Sequence, residues 1–225
     1  MKKMRFFTAK NIAYLAALTA LIVVLQAALG TIAIGPVTLN FSLIPIVLGA
    51  LLLGPLAGLF LGFVCGLIVL IQVITGMNPF YELIWAESPV VTTLTCLFKT
   101  MVAGWIAGWL YRLIAKKSKL GGVFAAAGIV PIVNTVLFIL GMLCMSNVLS
   151  EGAAGAGTNV FVYILVYIVT FNFFIELAIN LLLAPALHRV VLITERYIKG
   201  KTAGKNRTEP AQEAEPQTPD QTNQV

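Results

Sequence analysis

The chain has 225 residues and a mass of 24.2 kDa; 59% of its residues are hydrophobic, 11% are charged, and its mean hydropathy is +0.94. A soluble domain carries about 25% charged residues, so a water-soluble fold would expose too much apolar surface, and the chain reads as an all-α integral membrane protein. The net charge of +6 does not build a nucleic-acid face, because the basic residues gather at the borders of apolar segments, where anionic lipid headgroups attract them.

Six apolar segments follow one another, each long or short enough to be read as a helix in lipid. Residues 1–10 form a basic N-terminus with Lys2, Lys3, Arg5 and Lys10. The first apolar run, 11–29, exceeds the roughly 7–15 residues of a signal-peptide core and is expected to stay as the first span. It carries Ala13, Ala16, Ala17 and Ala20, two overlapping small-xxx-small pairs that let another helix approach closely. That approach is either internal packing or a separate membrane partner. Residues 30–40 form an outer loop in which Gly35-Pro36 between β-branched residues suggests a small hairpin. The second segment, 41–53, is short for a span at about 20 Å, and Gly54-Pro55 breaks it from the third, 55–74.

The third segment carries Gly54, Gly58, Gly62 and Gly66 at a spacing of four, one helix face open to close packing within the bundle. Gln72 lies near its outer end. Residues 75–88 read as a long aromatic outer loop suited to a lid. Trp85 within it fits either a ligand contact or the ordinary aromatic belt of a membrane interface. The fourth segment, 89–115, is interrupted by Lys99. The fifth, 120–145, holds Asn134 and Thr135 just after Pro131, whose ring frees a carbonyl one turn earlier. A glycine-rich outer loop, 152–157, has the backbone freedom of a second lid. The sixth segment, 161–191, places Asn172, Glu176 and Asn180 on one face. The membrane domain therefore covers 11–198, and 199–225 reads as a disordered cytoplasmic tail.

Orientation follows from charge. With the N-terminus inside, fourteen of the fifteen basic residues are cytoplasmic, while the outer loops carry only Glu82, Glu87 and Glu151. This is a positive-inside pattern with both termini cytoplasmic. The fifteenth is Lys99. Lys99 and Glu176 each precede a helix-ending arginine, Arg112 or Arg189, by 13 residues, so both lie about 20 Å above the inner boundary. Charge at that depth is costly, turns inward, and marks a functional site by default. The matched depth makes Lys99 the natural counter-charge of Glu176. Two roles remain open: a structural ion pair that holds the bundle in register, or a polar ligand site in which Lys99 meets an anion.

Motifs narrow the activity. The chain has no phosphate-binding Walker A sequence, no nucleophile elbow and no metalloprotease helix. Cys65, Cys96 and Cys144 lack metal-ligand spacing, and Asp220 is the only aspartate. No enzyme activity, cofactor or metal is expected.

Taken together, the alanines of the first segment, the stretch Leu39-Asn40-Phe41-Ser42-Leu43-Ile44-Pro45, the turn Leu53-Gly54-Pro55-Leu56-Ala57-Gly58, and Pro131-Ile132-Val133-Asn134-Thr135 make residues 8–198 resemble the S components of energy-coupling factor vitamin transporters. The resemblance implies six membrane helices that capture a vitamin from outside a bacterial cell membrane. It implies a membrane-embedded coupling subunit and two ATPase subunits as partners. The face of Ala13, Ala16, Ala17 and Ala20 would be the docking surface, and the whole component would topple to release its ligand. The substrate site would draw on Lys99, Asn134, Asn172, Glu176, Asn180, Gln72 and Trp85. Riboflavin-type members carry an acid at the second helix, which is missing from Phe41-Ser42-Leu43-Ile44-Pro45. Lys99 favours a carboxylate, making pantothenate the first choice, with folate, riboflavin and biotin behind it. A membrane scaffold that binds no solute, and a solitary carrier or channel, are the competing readings.

Overall fold

A computed structural model of the chain describes residues 9–30, 33–34, 37–77 and 79–208. Apolar segments become helices because, in lipid, a backbone must satisfy its own hydrogen bonds. Among the described residues, five helices are long and apolar enough to cross a membrane: α1 (Ala9–Leu29), α3 (Pro55–Ile74), α5 (Pro89–Ile114), α6 (Lys119–Leu143), and the run formed by α8 (Val160–Tyr163), a π-helical turn (Ile164–Val169) and α9 (Thr170–Thr208). The sixth apolar segment is α2 (Leu43–Leu53). Its 11 residues span about 16 Å, well short of a hydrocarbon core of about 30 Å. The chain is thus an all-α, multi-pass membrane protein. Large apolar side chains such as Leu94, Phe98, Trp105 and Trp109 face outward along α5, as a lipid-facing surface requires.

Local sequence sets the helix ends. Ser88 caps α5 by accepting from the Val91 N–H at 3.4 Å, and Pro89 follows as the first helical residue, where its missing N–H is no loss. Ser118 caps α6 from the Gly121 N–H at 3.1 Å, and Asn159 caps α8 from the Val162 N–H at 2.9 Å. Between α2 and α3, Gly54 adopts φ +100°, which a side chain would resist. The turn therefore needs its glycine, and Pro55 restarts the helix.

The glycine stripe is the seam of the bundle, as the sequence suggested. A methyl group built on Gly58 would strike the Gly104 carbonyl oxygen, and one on Gly62 would strike the Thr100 carbonyl oxygen. On Gly66 it would sit 2.7 Å from the Cys96 carbonyl oxygen. α3 and α5 therefore meet backbone to backbone, and Thr100 Oγ1 donates across the seam to the Gly62 carbonyl at 2.7 Å. α1 buries Leu18, Ile22 and Gln26, one residue per turn. Ala13, Ala16, Ala17 and Ala20 lie exposed on its other faces.

Two expectations about the outer loops are corrected. Residues 79–87 form a helix, α4 (Pro79–Glu87), begun by Pro79 and held by Tyr81 and Ile84, which are 6% and 3% exposed. Thr92 Oγ1 of α5 ties this helix down by donating to the Ile84 carbonyl at 2.9 Å. The glycine-rich stretch is likewise helical as far as Gly155, in α7 (Ser146–Gly155), because Leu149 and Ala153 are buried. The hairpin is present: β1 (Ala33–Ile34) pairs antiparallel with β2 (Val37–Thr38), while Gly35-Pro36 lies outside the described residues. The chain divides into the units Met1–His188 and Arg189–Val225. In the second, α9 continues through Thr208, so residues 199–208 are helical and the rest of the tail lies outside the described residues.

Gly62→Ala should lower the stability of the purified protein by about 1–3 kcal/mol, the usual cost of overpacking a close contact. Gly155→Ala should leave the melting temperature unchanged or higher, because a methyl group there meets nothing within 4 Å. Thermal unfolding in one detergent compares the two; equal effects would remove the seam from the account.

Candidate functional site

A narrow cavity, about 480 Å³ when its open mouth is counted, lies among α1, α3, α5, α6, α9 and the outer cap. Its wall carries both membrane-depth charges, Lys99 from α5 and Glu176 from α9. α6 contributes Asn134, Thr135 and Phe138. The π turn supplies Ile168 and Val169, and α9 adds Asn172 and Phe173. A π turn widens the helix locally and is frequent at functional sites. Here it delivers two apolar residues directly before the polar face of α9. From the other side come Gln26 of α1, Thr38 of the hairpin, Asn40 and Tyr81 of α4.

The sequence made Lys99 and Glu176 partners; the structure gives each a different one. Lys99 Nζ stands over the Phe138 ring, 4.9 Å from its centroid, a cation–π contact. One Glu176 oxygen accepts from the Asn40 backbone N–H at 2.8 Å. Among the described residues no ion pair joins the two charges. The expected structural pair gives way to two opposite charges facing one cavity.

The other expected site residues separate. Asn134 and Asn172 line the cavity. Asn180 instead borders a smaller neighbouring cavity of about 190 Å³ with Leu39, Phe41 and Glu176, and its Nδ2 donates to the Glu176 carbonyl at 2.8 Å. Gln72 faces α1 rather than the main cavity. It accepts from Gln26 Nε2 at 3.2 Å and returns a bond to the Gln26 carbonyl at 3.3 Å. Trp85 does not border the main cavity; Tyr81, one turn earlier on α4, does, and its hydroxyl is 2.6 Å from Thr38 Oγ1 of the hairpin.

Gln26, Asn40, Ser42 and Tyr81 are the residues sequence reasoning missed. Ser42 Oγ donates to Gln26 Oε1 at 2.8 Å, and the Ser42 N–H donates to Asn40 Oδ1 at 3.2 Å. With Gln72 and Glu176 at its ends, this chain of hydrogen bonds runs through four parts of the fold. A signal for Gln26 was present: it lies one turn after Ile22 and two after Leu18, an amide on the inward stripe of an otherwise apolar helix.

Chemically, the cavity offers one ammonium, one carboxylate, amides, hydroxyls and apolar walls. That set is chemically suited to a small amphiphilic solute. Among the described residues no group of three or more His, Cys, Asp or Glu is placed to hold a metal ion.

Residues 10–188 match the family model described as ECF transporter, substrate-specific component. No curated protein matches the chain.

Glu176→Leu should lower ligand-free stability by about 1–3 kcal/mol, since it strands the buried Asn40 N–H. Glu176→Gln should cost less, because an amide oxygen still accepts. Thermal unfolding of both variants checks the order, and the reverse order would contradict the hydrogen bond's importance.

Proposed function

The chain belongs to the substrate-specific components of ECF transporters, and from that premise we propose that it captures a carboxylate-bearing vitamin, pantothenate first, from outside the cell. It is a non-catalytic transport subunit, and membership in this family implies association with an energising module. Two ATPase subunits and a membrane-embedded coupling subunit complete the proposed assembly, in a bacterial cell membrane with both chain termini inside. On this reading α2 completes a set of six membrane helices, of which five reach across alone.

The observation that carries the substrate proposal is Lys99, among the described residues the one cation facing a cavity otherwise lined by the Glu176 carboxylate, amides, hydroxyls and hydrocarbon. A half-buried ammonium inside the span favours an anion, and a monocarboxylate supplies one. Pantothenate adds hydroxyls and an amide, which suit Asn134, Asn172 and Glu176. Folate, biotin and riboflavin are weaker candidates; riboflavin has no carboxylate for Lys99.

Docking is proposed through Ala13, Ala16, Ala17 and Ala20. Their exposure supports a partner helix over internal packing, and small residues at this spacing allow close approach. Tyr81 of α4 and Thr38 of the hairpin, in contact at 2.6 Å, are proposed as the outer closure of the ligand cavity.

Lys99→Met should weaken binding of a carboxylate vitamin about 10- to 150-fold, the value of a charge-assisted hydrogen bond. Equilibrium binding by the purified, folded variant tests this, and unchanged affinity would remove Lys99 from the site. Ala16→Trp and Ala20→Trp should leave ligand affinity within about threefold of wild type while abolishing ATP-driven uptake, because a bulky side chain blocks helix approach. Loss of binding together with uptake would return these alanines to internal packing.

A further inference from the structure

Glu176 sits in the cavity without a basic partner in contact, yet it is only 7% exposed. Its one fixed neighbour, the Asn40 N–H at 2.8 Å, uses one of about four acceptor positions on a carboxylate. In the ionised form the remaining positions accept and cannot donate. On α6, Asn134 Oδ1 is a second acceptor of the cavity: it is buried and has no hydrogen-bond partner, in a residue 6% exposed. A buried acceptor calls for a donor. The cavity therefore holds one strong donor, the Lys99 ammonium, and a set of acceptors on the walls formed by α6 and α9.

We propose that Glu176 is a specificity residue: it selects ligands with hydrogen-bond donors remote from their carboxylate and rejects ligands with a second anionic group there. This rests on the carboxylate-vitamin reading above. The matching ligand is an acid held by Lys99, with an amide N–H for Asn134 Oδ1 and hydroxyl or amine donors for Glu176. A dicarboxylate would set two like charges together out of water, where their repulsion is weakly screened. On this ground folate, with two carboxylates, is a poorer fit than a hydroxylated monocarboxylate.

The test uses the full chain in lipid nanodiscs and three β-alanine amides: pantothenate, N-(3,3-dimethylbutanoyl)-β-alanine as a butanoyl compound that lacks only the hydroxyls, and N-succinyl-β-alanine with a second carboxylate. The wild type should bind pantothenate about tenfold or more tighter than the butanoyl compound, as charged hydrogen bonds require, and the succinyl compound should bind weakest. Glu176→Gln should compress the first preference to about threefold and raise the succinyl compound to at least the butanoyl level. Equal binding of all three acids by the wild type, or an unchanged ranking in a folded Glu176→Gln, overturns the selector role alone. Failure of the wild type to bind any of them overturns the choice of pantothenate as well. Should the variant not fold, the wild-type ranking decides by itself.

Discussion

The hydrogen bond from the Asn40 backbone N–H to the Glu176 carboxylate, 2.8 Å long, joins residues 136 apart in sequence. It binds the exit of the outer hairpin to the polar face of α9. A charge in a membrane interior persists only where protein surrounds it, and this one is held by a backbone donor rather than by a counter-charge. Lys99 stands over Phe138 instead, and both charges face the cavity. A direct ion pair would have filled the space that a ligand is proposed to occupy.

The second constraint is the glycine seam. α3 and α5 meet with carbonyl oxygens where side chains would normally stand, which brings Thr100 within 2.7 Å of the Gly62 carbonyl. Lys99 is the residue before Thr100. The seam thus fixes the rotation of α5 and, with it, the direction from which the ammonium enters the cavity. Close packing of small residues and placement of the site charge are one structural fact.

Much of this was legible in the sequence. A glycine every fourth residue has few uses in a membrane helix other than close approach, so the α3 seam followed from spacing alone. Pro55–Ile74 and Pro89–Ile114 follow from Gly-Pro and Ser-Pro punctuation. The polar face of α9 follows from the spacing of Asn172 and Glu176. The companions of that face were not legible. Asn40 acts through its backbone N–H, which every residue but proline carries, so no side-chain pattern announces it. The π turn rewinds an uninterrupted apolar run, and nothing in Ile164–Val169 distinguishes it from α-helix. The segments read as lids carried aromatic and glycine residues, yet Tyr81 and Ile84, and Leu149 and Ala153, found buried positions. Tertiary burial overrode the local turn signals there. Equal depth suggested an ion pair of Lys99 and Glu176, and the two line one cavity without such a contact. It could not reveal Phe138 beneath the ammonium, because depth says nothing of which neighbour reaches a charge first.

The central claim is that the cavity holds a solute and not merely a polar core. Native mass spectrometry of the gently purified chain tests it most directly. The account predicts one small carboxylic acid per chain, released on denaturation and identifiable by mass. A reproducibly empty protein that no vitamin in a broad panel stabilises would contradict it and favour a membrane scaffold instead.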